Sequence, residues 1–156
     1  PAETPAAIGE RVSFTGRVTD GQLRTLYAGA AVFAYPSFYE GFGLPPLEAM
    51  ALGAPVVTVE AASLPEVVGE AALLVPPGDP VTLAAALDRI LTEPTLRDVL
   101  IAAGRVRAAK FTWAATAEAT VKVYREVVNG KNTTFKIHPL QKDRYMLNCP
   151  SCKDMK

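Results

Sequence analysis

The sequence lacks an excess of charge of either sign, because its 156 residues include 16 Lys and Arg against 16 Asp and Glu. A chain without net charge creates no long-range attraction for nucleic acid or anionic lipid, so we expect neither partner. Long apolar runs are also lacking. No stretch approaches the roughly 20 residues of a membrane span, and the first residues do not form a basic and apolar leader. We therefore expect a cytoplasmic domain.

Cysteine and histidine are scarce. The two cysteines, Cys149 and Cys152, lie together near the C-terminus, and His138 is the only histidine. The Cys-x-x-Cys spacing is that of a zinc knuckle or a redox pair. Because a structural zinc site needs about four ligands, we favour an inert tail and assign no metal ligand.

The composition changes near Gly130. Residues 1–130 have ten Lys and Arg against fourteen Asp and Glu, whereas residues 131–156 have six against two and contain no alanine. The first part has enough apolar residues for a core, since 49% of the whole chain is hydrophobic. We interpret residues 1–130 as one domain and residues 131–156 as an appended tail of different composition.

Short apolar runs alternate with amphipathic stretches in the first part of the chain. Continuous apolar strands separated by helices predict an α/β fold, a Rossmann-like parallel sheet with helices on both faces. The sheet is expected to be incomplete, because about four strands are predicted where such domains usually have about five or six. Strands are predicted at residues 12–14, 32–35, 55–59 and 72–75, and helices at 20–30, 45–52, 64–68, 80–92, 95–110 and 113–128. Core positions are predicted at Leu83, Leu87, Ile90, Leu91 and Trp113.

The loop after the second predicted strand has the strongest signal for a site. The stretch "YPSFYEGFGLPPLEAMALGAPVV" runs from the end of that strand through a glycine loop into a helix, and such loops bind ligands in open α/β sheets. Gly41 and Gly43 permit positive φ and close approach of a ligand, and a helix N-terminus favours phosphate. Glu48, expected in the first helical turn, can accept hydrogen bonds from a pair of sugar hydroxyls. Glu40 is expected to face the same cleft.

These features also have ordinary interpretations. Glycine and proline between a strand and a helix are often only turn chemistry, and a lone glutamate is usually solvated. Three aromatic residues in the same loop, Phe38, Tyr39 and Phe42, favour a site, because they lower solubility unless they line a pocket or fill the core. At least one of them is expected to fill the core.

The stretch "PSFYEGFGLPPLEAMALGAPVV" closely resembles the Glu-x7-Glu signature of retaining glycosyltransferases of the GT-B fold, in the GT4 family, and the similarity extends over about residues 8–128. The resemblance implies that Glu40 lies by the transferred sugar of a nucleotide-diphosphate sugar donor and that Glu48 holds the ribose hydroxyls. It also implies that the backbone amides of Phe42, Gly43 and Leu44 contact the diphosphate and sugar region. The resemblance implies no requirement for a metal or another cofactor. The donor-binding residues implied are Gly41, Phe42, Gly43, Leu44 and Glu48.

The resemblance is incomplete. Family members have an N-terminal acceptor-binding domain, and an Arg and a Lys near the start of the donor domain that neutralise the diphosphate. Arg17 does not match either position and is assigned to the surface. We therefore expect the donor-binding half of such an enzyme, truncated at its N-terminus and inactive alone. The alternative is a non-catalytic Rossmann-like module that binds a nucleotide or associates with itself through an exposed sheet edge.

Overall fold

The computed structural model describes residues 11–129. The predicted tail, residues 131–156 with His138 and both cysteines, lies outside the described residues. The elements are α1 (Asp20–Gly29), β1 (Phe33–Tyr35), α2 (Leu44–Ala51), β2 (Val56–Val59), α3 (Leu64–Val68) followed by the 3₁₀ turn Gly69–Ala71, β3 (Ala72–Val75), α4 (Pro80–Thr92), α5 (Pro94–Ala108) and α6 (Trp113–Val128). Strand and helix alternate as the apolar pattern predicts.

The described strands form one parallel sheet in the order β1–β2–β3. Tyr35 pairs with Thr58, and Thr58 pairs in turn with Leu74, so the carboxyl ends of all three strands lie at one edge. Each strand is short and apolar, and each parallel neighbour is reached through a helical connection, as parallel pairing requires. The prediction of a Rossmann-like α/β fold is confirmed.

Two apolar clusters lie on opposite sides of β2, whose four residues are all buried. Val56 packs in the cluster that contains Tyr27 of α1 and Met50 of α2. Val57 belongs to the other cluster, with Ile90 of α4. Fully burying one such side chain contributes about 1.5–3 kcal/mol, so this layered core fixes the sheet edge from which the loops extend.

Polar residues define where several helices begin. Thr19 forms a capping box with Gln22, in which each residue's side chain bonds the other's backbone N–H. The Asp79 carboxylate accepts from the backbone N–H groups of Val81 and Thr82, which begins α4 at the end of the loop that follows β3. These local signals are readable in the sequence, and the predicted bounds of α4 agree with the structure.

One predicted strand and two predicted core positions are wrong. Residues 12–14 form no strand, and the Phe14 side chain is 81% exposed, because this apolar run has no ladder partner among the described strands. Trp113 begins α6 but is 85% exposed, since no residue of α6 is buried within the described chain. Leu91 is 53% exposed because it lies off the sheet-facing side of α4, where Ile90 is fully buried and Leu83 and Leu87 pack. No helix among residues 11–129 is long and apolar enough to cross a membrane.

Candidate functional site

Three loops meet at the carboxyl edge of the sheet. They follow β1, β2 and β3 and span residues 36–43, 60–63 and 76–79. The first and third are in contact, since a methyl group on Gly78 would lie 3.5 Å from Cε1 of Phe38. The loop after β1 carries the predicted site residues and leads directly into α2, and this edge is where open α/β sheets bind ligands.

Glu40 is held by two hydroxyl groups. The Tyr35 hydroxyl donates to Oε1 of Glu40 at 2.6 Å, and the Ser37 hydroxyl donates to the same oxygen at 2.8 Å. Within residues 11–129, neither donor contacts Oε2. The side chain is therefore fixed through one carboxylate oxygen, and the other can accept from a ligand hydroxyl.

These hydrogen bonds also set the ionisation of the pair. The Tyr35 hydroxyl, followed by that of Ser37, holds the pKa of Glu40 below its usual value. The same bond raises the pKa of Tyr35 to about 12, because the carboxylate stabilises the protonated phenol. Glu40 is consequently an anion at neutral pH, with Tyr35 as a neutral donor.

Tyr35 is in turn anchored to the sheet. The buried Thr58 of β2 donates its hydroxyl to the backbone oxygen of Tyr35 at 2.8 Å. Thr58 thereby satisfies its own polar group, which is costly to bury unpaired. This hydrogen bond fixes Tyr35, the last residue of β1, to the central strand. It thereby also fixes the Tyr35 hydroxyl that donates to Glu40.

Glu48 lies on α2 but not where the sequence predicts. It is the fifth residue of the helix, so it lies in the second turn, and the first turn contains no acidic residue. The helix begins at Leu44, one residue earlier than expected, which moves Glu48 away from the N-terminal turn. The Glu48 side chain is exposed and lies beside the Tyr27 hydroxyl. Burial, and secondarily the Glu48 carboxylate, raise the pKa of Tyr27.

A row of three aromatic rings connects the two glutamates. Tyr27 meets Phe33 edge to face at 5.1 Å, and Phe33 stacks on Tyr35 at 6.0 Å. At one end of the row the Tyr35 hydroxyl donates to Glu40, and at the other end the Glu48 carboxylate contributes to the raised pKa of Tyr27. Sequence reasoning missed both tyrosines as site residues. The available signal was that a buried tyrosine hydroxyl usually needs a polar partner.

The glycine loop ends in a helix N-terminus with few amide donors. Gly43 is the N-cap residue, with φ of 113°, and no side chain caps the helix. The next two helical positions after Leu44 are prolines, which have no N–H. The N–H groups of Phe42, Gly43 and Leu44 have no backbone acceptor among the described residues. These amides are the donors that an anion at this loop could use.

The two predicted glycines have different roles. Gly43 is buried and has a left-handed φ, and a Cβ there would lie 2.9 Å from Cδ2 of Leu64. Gly41 permits a positive φ but does not adopt one, and a Cβ there would have no neighbour within 4 Å. Only Gly43 is required by the backbone, whereas Gly41 leaves open space beside the loop.

The aromatic residues of the loop do not fill the core. Phe38 and Tyr39 are 69% and 73% exposed, so the expectation that at least one aromatic fills the core is wrong. Phe42 is partly covered by the edge of Phe111 at 5.7 Å. The guanidinium of Arg107 lies 4.9 Å from the Phe111 ring centroid and donates to the carbonyl groups of Val67 and Glu66. The loop is therefore connected through Phe111 to the end of α5.

Ser63 is the other residue that sequence reasoning missed. Its hydroxyl oxygen lies 2.8 Å from the backbone oxygen of Glu40 and 2.7 Å from that of Phe42. In the sequence, Ser63 precedes an apolar helix and has the usual form of an N-cap. A contact across 21 and 23 residues of chain gives no local signal.

A separate groove of about 530 Å³ follows α6 between residues 117 and 129. All of its lining residues within the described part of the chain come from one helix and the residue after it, so these residues do not enclose a ligand. Among residues 11–129, no group of three or more His, Cys, Asp or Glu side chains is arranged to hold a metal ion. The carboxyl edge of the sheet is therefore the better candidate site.

Comparison with known proteins gives a consistent result. Residues 2–93 match the family described as glycosyl transferases group 1. The chain is 43% identical over 114 residues to O-antigen chain mannosyltransferase B of Escherichia coli, covering 73% of this chain and 30% of that protein. It is 43% identical over 125 residues to MMP alpha-(1->4)-mannosyltransferase of Mycolicibacterium hassiacum, covering 78% of this chain and 30% of that protein.

A solved structure agrees with these sequence relatives. Sucrose-phosphate synthase from Thermosynechococcus elongatus superimposes with a TM-score of 0.70 at 38% identity. The superposition covers 80% of this chain and 32% of the synthase. The chain thus spans about a third of the length of each of these three proteins.

Proposed function

The chain belongs to the glycosyl transferases group 1 family and has the α/β fold of GT-B enzymes, and we propose that its 36–48 segment binds a nucleotide-diphosphate sugar donor. The observation that carries this proposal is the fixed, ionised Glu40 at the carboxyl edge of the sheet, next to amides that have no backbone acceptor within residues 11–129. A carboxylate suits sugar hydroxyls, and amides suit phosphate oxygens. One donor molecule has both kinds of group.

Each site residue then has a distinct role. Glu40 lies by the transferred sugar and accepts a hydrogen bond through Oε2. Glu48, exposed on the second turn of α2, holds the ribose hydroxyls. The amides of Phe42, Gly43 and Leu44 bind the diphosphate and sugar region, where Gly41 leaves space for close approach.

We propose a retaining reaction at this site. The acceptor oxygen forms a bond to the anomeric carbon on the face from which the diphosphate oxygen departs. The acceptor proton passes to the leaving diphosphate, so no protein base is assigned. No resident metal is assigned either. Ionised Glu40 favours the positive charge that develops on the sugar ring, because a fixed carboxylate needs no reorganisation as the charge forms. The one-bond coupling between C1 and H1 in the product of the complete enzyme tests retention, because the coupling between H1 and H2 does not separate the anomers of a sugar with an axial 2-hydroxyl.

Mannose is the first sugar to test. O-antigen chain mannosyltransferase B and MMP alpha-(1->4)-mannosyltransferase are both named for its transfer. Because the chain spans only 30% of the length of each, the acceptor and the complete reaction are part of the proposal. We propose that an acceptor-binding domain outside this segment supplies the hydroxyl, and that the 156-residue chain alone transfers no sugar.

Calorimetric titration of the chain with UDP, GDP and their mannose-bearing forms tests donor binding. Glu48→Ala removes the proposed ribose acceptor. A hydrogen bond to a charged group is worth about 1.5–3 kcal/mol, so binding should weaken at least about tenfold. Glu118→Ala is the matched control, because Glu118 is an exposed glutamate on α6, outside the loops at the sheet edge. Equal binding by the Glu48→Ala variant and the wild-type chain would contradict the proposed site.

A further inference from the structure

Ser63 occupies a helix N-cap position but does not cap the helix. It precedes α3, and its side chain makes no hydrogen bond to the backbone N–H groups of that helix. Its φ and ψ of −80° and −13° are already helical, whereas a capping serine normally has extended backbone. The hydroxyl is therefore used for something other than beginning α3.

The hydroxyl instead contacts the donor loop. Oγ of Ser63 lies 2.8 Å from the carbonyl oxygen of Glu40 and 2.7 Å from that of Phe42. A serine hydroxyl has one hydrogen, so it donates to one oxygen at a time or is shared between the two. In either case two carbonyl oxygens of the loop converge on one atom from the neighbouring strand's loop.

This convergence sets the direction of two backbone amides. In a trans peptide the C=O and N–H groups point in opposite directions, and residues 11–129 contain no cis peptide bond. Because the oxygens of Glu40 and Phe42 face Ser63, the N–H groups of Gly41 and Gly43 point away from it. Neither N–H has a backbone acceptor among the described residues.

The residue before Ser63 has an unusual conformation that supports this arrangement. Ala62 has a φ of 49° and is the only non-glycine residue with positive φ between residues 11 and 129. A left-handed conformation is unfavourable for alanine and persists only where the surroundings require it. Here it turns the chain between β2 and α3, directly before the residue that contacts the donor loop.

We propose that Ser63 is a positioning residue for the donor diphosphate, acting through the peptide groups that end in the amides of Gly41 and Gly43. This inference rests on the proposed function and deepens it, because it adds the Gly41 amide to the phosphate donors. Replacing Ser63 by alanine leaves two carbonyl oxygens without their shared donor. The loop can then rotate these peptides, and the fixed orientation of each amide is lost.

The experiment compares Ser63→Ala, Ser63→Thr and the control Ser13→Ala, which removes an exposed serine hydroxyl outside the three loops. Affinities for UDP and UMP, and for GDP and GMP, are measured by calorimetry. We expect Ser63→Ala to weaken diphosphate binding about tenfold relative to monophosphate binding, and Ser63→Thr to restore the wild-type ratio. A general loss of structure would weaken both nucleotides alike.

A second measurement needs no ligand. In the free chain, backbone NMR relaxation at Gly41 and Gly43 should report greater motion in Ser63→Ala than in the wild type or in Ser63→Thr. Unchanged relaxation, or an unchanged ratio of diphosphate to monophosphate affinity, would overturn the role of Ser63. If the folded wild-type chain binds no nucleotide while the loop still loosens in Ser63→Ala, the donor site fails and the loop-positioning role of Ser63 stands.

Discussion

The two glycines of the donor loop should respond oppositely to the same substitution. Gly43→Ala introduces a side chain at a φ of 113°, and its Cβ would lie 2.9 Å from Cδ2 of the fully buried Leu64. Gly41→Ala introduces a Cβ with no neighbour within 4 Å. The two positions are two residues apart, so they share the same loop and the same chemical change.

The expected magnitude for Gly43→Ala combines three effects. Left-handed backbone costs an alanine about 1–2 kcal/mol. Forcing Leu64 to move in a packed core costs about 1–3 kcal/mol. The lower entropy of the unfolded alanine variant offsets about 0.4–1 kcal/mol of this. We therefore expect Gly43→Ala to lower the free energy of unfolding by about 1–5 kcal/mol. Gly41→Ala has the same entropic gain without the strain, so it should leave the free energy of unfolding unchanged or raise it by up to about 1 kcal/mol.

Urea unfolding followed by circular dichroism gives both values. The calorimetric titration of Gly41→Ala adds the functional part of the test, because a methyl group there should obstruct the ligand without destabilising the fold. Weaker nucleotide binding with equal or slightly higher stability is the expected result for Gly41→Ala. The reasoning would be refuted if Gly43→Ala were as stable as Gly41→Ala.

Two further predictions concern other hydrogen bonds of the described chain. The pKa of Tyr35 is raised from 10.0 to about 12, so its contribution to stability is complete below pH 10 and is lost as the pH rises toward 12. Between these pH values, the free energy of unfolding measured in urea should therefore fall more steeply with pH for the wild type than for Tyr35→Phe. The same pH dependence in both proteins would contradict the Tyr35–Glu40 hydrogen bond. Asp79→Ala should lower the free energy of unfolding by about 1 kcal/mol, because it removes the N-cap of α4. Asp79→Asn should recover most of this loss. An alanine variant as stable as the wild type would contradict the capping role of Asp79.

The elements that could be predicted are those with local signals. The bounds of α4 follow from Asp79 and Pro80 at its start and from an apolar stripe that repeats along it. The apolar runs of β2 and β3 are short and β-branched or aliphatic, and both are strands. The run at residues 12–14 has the same local character, but a strand also needs a ladder partner, which is a property of the assembled sheet.

The site could be predicted only in outline. The position of the Glu40 loop follows from the strand before it and the helix after it, both of which have local signals. The contacts of Tyr27 and Ser63 depend on which helix and which loop pack against the sheet edge. A single sequence has no local signal for such contacts between distant segments. The different roles of Gly41 and Gly43 depend on φ and on the neighbouring Leu64, which are known only from the fold.

The central claim is that the loops at the carboxyl edge of the sheet bind the nucleotide-sugar donor. The most direct test is a map of backbone amide chemical-shift changes in the chain during titration with UDP and with GDP. We predict that the changes concentrate in residues 36–48 and 60–63, with Gly41 and Gly43 among the most affected. Changes confined to the α6 groove between residues 117 and 129, or none in a chain that is folded, would contradict the account.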